Sequence, residues 1–174
     1  MKKKAAMGLL CAALCLALLL SAAVSETREA AIALEGEEEI IEETLFESPS
    51  GFSFWYANDR LEAYPGERDN IEGVIVETIY SDDYMILSMI TREEAEEYIG
   101  DLGESIAEQP AESRAQTDVY HVLEGSRYFF LSLITENGQY LRAVGEYAQE
   151  AAEGNAKFFR QVLDSVAFRE LKED

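Results

Sequence analysis

Tyr128-Phe129-Phe130-Leu131-Ser132-Leu133-Ile134-Thr135-Glu136-Asn137-Gly138-Gln139-Tyr140 carries the strongest local signal in the chain. Asn137-Gly138 can take the two positive φ angles of a tight turn, so residues 127–135 and 139–147 are expected to pair antiparallel. Tyr128 to Ile134 is apolar at successive positions. Strand side chains alternate between faces, so both faces of this strand need cover. The expected architecture is therefore an antiparallel sheet with helices on each side, or with a helix on one side and a second layer opposite. Val119 to Glu124 precedes the hairpin through Gly125-Ser126, which makes a three-stranded meander the simplest topology.

Upstream, the same patterning recurs. Gly51-Phe52-Ser53-Phe54-Trp55-Tyr56-Ala57 follows the turn-forming Ser48-Pro49-Ser50, and Phe52, Phe54 and Tyr56 fall on one face. Trp55 points the other way, to a face expected to be covered by a helix. A short strand from Arg60 to Tyr64 is expected to end at Pro65-Gly66, with a loop from 66 to 71. Two β-rich runs follow, residues 73–80 and 84–90, joined by the hairpin turn Ser81-Asp82-Asp83. The second is apolar on both faces and is expected to be central.

Two segments read as helices. Thr91-Arg92-Glu93-Glu94 has the form of a capping box, and Ala95, Tyr98, Ile99, Leu102 and Ile106 recur at helical spacing beyond it. Pro110 closes that helix. The second spans about 148–166, and its apolar face is Phe158, Phe159, Val162, Leu163 and Val166. Gly154-Asn155 interrupts it, so its sharply amphipathic part is expected to start there.

The amino terminus supplies an address. Lys2, Lys3 and Lys4 precede an uncharged run from Ala5 to Val24, which ends in Ser21-Ala22-Ala23-Val24-Ser25. A basic start, an apolar middle and a small-residue tail make a secretory signal, with release expected before Glu26. The alternative is an uncleaved anchor formed by residues 5–24, about long enough to cross a hydrocarbon core of about 30 Å. Lipidation is not expected, because Leu10 precedes Cys11 and Leu14 precedes Cys15. Both cysteines lie in this segment, so the mature protein is expected to have no disulfide and no thiol chemistry.

The net charge of the chain is −21. Such a surface repels phosphate backbones and anionic lipid, which excludes nucleic acid as a partner and leaves the membrane reachable only through the amino-terminal segment. Cations, basic proteins and basic wall components are the partners it favours. Acids crowd Glu35 to Glu47, with no Lys or Arg between Arg28 and Arg60. Residues 26–43 accordingly read as an acidic flexible arm.

The opening strand Gly51-Phe52-Ser53-Phe54-Trp55-Tyr56, the mixed sheet and the closing helix Phe158-Phe159-Arg160-Gln161-Val162-Leu163-Asp164-Ser165-Val166-Ala167-Phe168 together resemble the PsbP/Mog1-like group over residues 45–168. The resemblance implies an antiparallel sheet sandwiched by helices, in a group where many bacterial members are small secreted or membrane-attached proteins of unassigned role and others serve as binding or assembly factors. The chain then divides into a signal peptide (1–25), an acidic arm (26–43), a single α+β domain (44–169) and a charged tail (170–174).

Catalytic chemistry finds little to build on. His121 is the only histidine and sits in a strand pattern beside Val119 and Leu123, where a structural role fits better than a general base. No Gly-x-Ser-x-Gly elbow is present. Neither the glutamate run nor Ser81-Asp82-Asp83 has the spacing of an EF-hand. The expectation is a non-catalytic extracytoplasmic binding or assembly module, with no cofactor and an unidentified envelope protein or wall component as partner. Tyr64 and Tyr84 are the candidate contact aromatics. The alternatives are a calcium-responsive module using Asp59, Asp82 and Asp83, and an envelope hydrolase.

Overall fold

The computed structural model describes residues 26–34, 36–100, 115–151 and 154–169. The expected signal segment, the continuation of the first helix beyond residue 100 and the tail 170–174 lie outside them. Strands run β1 (Thr27–Leu34), β2 (Glu37–Glu47), β3 (Phe52–Ala57), β4 (Leu61–Arg68), β5 (Ile71–Thr78) and β6 (Tyr84–Ile90). Helix α1 (Arg92–Gly100) follows, then β7 (Ala115–Glu124), β8 (Arg127–Glu136) and β9 (Gln139–Ala148). Helix α2 (Asn155–Ser165) and the short β10 (Ala167–Phe168) close the chain.

All pairings are antiparallel and make two sheets, one ordered β1-β2-β3-β10 and one ordered β4-β5-β6-β9-β8-β7. The expected meander is present as β7-β8-β9. Asn137 (φ 50°) and Gly138 (φ 72°) make its second turn, in the backbone region that this dipeptide tolerates. β6 lies inside the larger sheet, as its two apolar faces require. Met85 and Leu87 enter the main core, while Ile86, one position out of phase, faces the other way beside Ile75 and Tyr84.

The main core joins both sheets to α2. Phe52 and Phe54 of β3, Met85 and Leu87 of β6, Ile134 of β8, Leu141 of β9 and Phe159 of α2 are all buried in it. Each such side chain contributes about 1.5–3 kcal/mol by leaving water. Helix α1 covers the opposite face of the larger sheet, where its Ala95 and Ile99 meet Leu133, Ile90 and Tyr140. The capping box forms as read: Glu94 N–H donates to Thr91 Oγ1 at 3.2 Å, and Thr91 N–H to Glu94 Oε2 at 2.8 Å. These bonds hold the Glu94 carboxyl below the usual carboxylate range. Among the described residues, no helix is long and apolar enough to cross a membrane.

Three expectations need correction. Residues 26–43 are not a flexible arm: β1 and β2 pair from Thr27↔Thr44 to Leu34↔Glu37, so folded structure begins well before residue 44. Alternation places Ile32 and Ile41 in the core, and Glu37, Glu38, Glu39 and Glu42 stay in water while Glu43 does not. Glu43 is buried and accepts from Arg28 Nε at 2.7 Å, which makes a buried carboxylate tolerable.

β4 does not stop at Pro65-Gly66 but continues to Arg68. It is an edge strand, where proline's missing N–H costs no ladder bond. The turn after it is Asp69-Asn70, both at positive φ (55° and 63°), which these short polar residues accept.

A helix does not cover the Trp55 ring in the way expected. The guanidinium carbon of Arg28 lies 4.4 Å from the ring centroid, and α2 reaches the Trp55 main chain instead, through Ser165.

Candidate binding face and groove

The three aspartates considered for a cation are not brought together. Asp83 is fully buried and already saturated. Its Oδ1 accepts from Arg127 Nη2 at 3.0 Å and from Ala148 N–H at 2.9 Å, and its Oδ2 accepts from Asn155 Nδ2 at 2.6 Å. It is a structural knot that ties the β5–β6 turn to β8, to the end of β9 and to the start of α2. Asp59 is drawn to its neighbour Arg60 at 3.3 Å, and Asp82 contributes only a carbonyl that accepts from Arg127. Among the described residues no cluster of three or more potential ligands is placed to hold a metal ion. His121 lies opposite Phe130 in β7, and its side chain falls outside the described part.

The two tyrosines do come together, but they differ in exposure. Tyr84 is buried rather than a surface aromatic, whereas Tyr64 is 38% exposed. Both lie on the outer face of β4–β6 and are linked through Arg68. The Arg68 guanidinium carbon sits 3.5 Å from the Tyr84 ring centroid, and Nη1 donates to Glu77 Oε2 at 3.3 Å. The other Glu77 oxygen accepts from Tyr64 OH at 2.9 Å. Tyr84 OH donates to Asp69 Oδ2 at 2.5 Å, so the phenol fixes the positive-φ turn. Burial, followed by the Asp69 bond and charge, pushes the Tyr84 phenol up to about 12. The most exposed tyrosine here is Tyr80, 81% accessible in the β5–β6 turn beside the half-exposed Ile79, a pair that sequence patterning did not single out.

The same three strands open a groove at the other end. β5 and β6 pair from Glu77↔Tyr84 only as far as Val74↔Leu87. The next pairs in this register would be Gly73 with Ser88 and Glu72 with Met89, but Ser88 Oγ instead donates to the Glu72 carbonyl at 2.7 Å. This is possible because residue 73 is glycine. A Cβ there would lie 2.4 Å from the Leu87 carbonyl oxygen and 2.7 Å from Ser88 Oγ.

Past that point β5 and β6 part. The resulting groove, about 760 Å³, runs beneath the turn Ser48-Pro49-Ser50. Val74, Leu87 and Met89 line it, and Pro65 with Gly66 forms its far wall. Ser48 stiffens the lip, taking the Ser50 N–H on its hydroxyl at 3.2 Å and the Gly51 N–H on its carbonyl at 3.2 Å. A second hollow of about 450 Å³ shares Ser50 and Met89 with it and extends to Arg92 and Arg169.

No protein-family model and no curated protein matches this chain. The groove was invisible to sequence patterning, because Ser88 and Gly73 are 15 positions apart and meet only through pairing of the strands. A glycine inside a β-branched run was its one trace.

Proposed function

We propose that this chain is a non-catalytic binding or assembly module working outside the cytoplasmic membrane, with the groove between β5 and β6 as its contact site. The open, rigid-lipped groove carries the reading. Val74, Leu87 and Met89 lie along it, Pro65, the serine lip and the carboxylates of Glu67 and Glu72 wall it, and concave sites of this kind hold ligands by shape with a few fixed polar groups. The basic start and small-residue tail of residues 1–25 support the extracytoplasmic address. The order of sheets and helices is compatible with a PsbP/Mog1-like kinship, which is part of this proposal. A cation-responsive role has no comparable support, since Asp83 is committed to internal bonds.

Site-resolved crosslinking in the native envelope tests the reading. A photoreactive residue at Ser50, on the groove lip, should give a discrete adduct with envelope material. The same residue at Glu124, the last residue of β7 at the opposite end of the sheet, should not. Equal labelling from both positions, or none from Ser50, overturns it.

A further inference from the structure

We infer that the groove takes an extended polypeptide segment from a partner, paired to the open edge of β6 and carrying a lysine or arginine that sits between Glu67 and Glu72. This deepens the binding-module reading and rests on it.

Three observations converge on that occupant. The first is main-chain polarity at the split. Along β6 the groups that face β5 alternate: the Leu87 carbonyl points toward β5, as its approach to Gly73 shows. Alternation turns the Met89 N–H and C=O the same way, past the last β5 pair and into the groove that Met89 lines. On β5, the Glu72 carbonyl is already occupied by Ser88. The split therefore leaves one strand open and caps the other, a geometry that accepts an added strand on the β6 side alone.

The second observation is charge. Glu67 and Glu72 are direct cross-strand partners, both exposed and both lining this groove. Like charges placed opposite each other in an antiparallel pair repel. Among the described residues neither carboxylate makes an ion pair. A cationic side chain between them relieves that repulsion, and the net charge of −21 draws basic segments toward the surface.

The third is shape. The trough continues past Met89 toward Arg92 and Arg169, so it is elongated, acidic at one end and basic at the other. An extended chain fits such a trough better than a compact ligand does, and the opposed ends fix its direction.

The test uses the full chain and three fluorescent capped peptides. One is Lys-Val-Thr-Val-Thr; the second has Glu in place of Lys; the third keeps Lys but is N-methylated at the valine and threonine amides. The Lys peptide should bind with a dissociation constant on the order of 100 μM or tighter, and each of the others about tenfold more weakly or worse. A Glu67→Lys/Glu72→Lys double variant, checked for unchanged thermal unfolding, should reverse the preference between the Lys and Glu peptides.

Equal affinity for the methylated peptide overturns strand pairing. Indifference to the Lys-to-Glu change overturns the charge assignment. Absence of saturable binding to any peptide overturns the proposal, as does a groove closed by a second copy, seen as a dimer that the double variant dissolves. Failure of the broader reading looks different. Adducts of Ser50 with glycan but no peptide binding leave a binding module with another ligand, whereas peptide binding without envelope adducts leaves the groove chemistry and removes the envelope role.

Discussion

Ser165, the last residue of α2, serves both main-chain groups of Trp55: its hydroxyl accepts the Trp55 N–H at 2.9 Å and lies 3.2 Å from the Trp55 carbonyl. Its single proton is shared between that carbonyl and Val162 O, 2.8 Å away. β10 pairs with β3 only at Phe52 and Ser53. The helix end thus replaces the missing strand where that ladder stops.

Ser165→Ala should leave the Trp55 amide and carbonyl without their side-chain partner and lower stability by about 1–3 kcal/mol. Urea unfolding would measure the loss, and hydrogen exchange at the Trp55 amide should accelerate selectively. Unchanged protection at Trp55 would mean that the helix end does not hold this edge.

Asp83→Ala should be among the most damaging single substitutions. It removes the acceptor for Arg127, the Ala148 amide and Asn155 at once and leaves Arg127 short of a buried partner. Removing one member of a buried ion pair costs about 3–5 kcal/mol. Calcium should not rescue the native protein's thermal midpoint beyond a sodium chloride control of matched ionic strength, since this carboxylate is already saturated.

Tyr84 gives a pH signature. Its folded value of about 12 lies above the ordinary 10.0, so the fold favours the neutral phenol. The stability tied to that preference is complete below about pH 10 and is lost as pH rises from there through about 12. Ultraviolet titration should show a late-ionising tyrosine that disappears in Tyr84→Phe, and the variant's alkaline unfolding should lose the corresponding slope. A Tyr84 phenol that ionises at the ordinary 10.0 would contradict the Asp69 bond.

Gly73→Ala tests how the groove is made. The new Cβ meets a backbone oxygen at 2.4 Å, which cannot move as a flexible side-chain tip can. The variant should lose about 1–3 kcal/mol through overpacking. Ser88→Ala should cost less, about 1 kcal/mol, because only the bond to the Glu72 carbonyl is lost. Chemical denaturation of both variants decides the order.

Much of the fold was legible wherever a signal is local. Asn137-Gly138 marked its turn, Thr91 and Glu94 marked the start of α1, and Phe158, Phe159, Val162 and Leu163 marked the buried face of α2. Residues 26–43 were misread as a flexible arm because glutamates dominate their composition. Ile32 and Ile41 are only two core positions among many exposed ones, too few to outweigh that charge in a one-dimensional reading. Tyr84 was taken for a contact residue because nothing near it in sequence showed that Arg68 and Asp69 would fold over it.

The sequence alone determined the strand and helix periods, the principal turns, the strongly acidic balance and the basic, then uncharged, amino terminus. These depend on backbone preferences, side-chain alternation and charge within a few residues, all of which act before any long-range contact forms. Tertiary structure alone decided that Asp83 is internal rather than metal-facing, that Ser165 completes the edge of β3, and that β5 parts from β6 at Gly73. Each joins groups far apart in sequence, such as Trp55 with Ser165 or Asp83 with Asn155. The free energy of such contacts exists only once the sheets have closed on α2 and excluded water from the shared core.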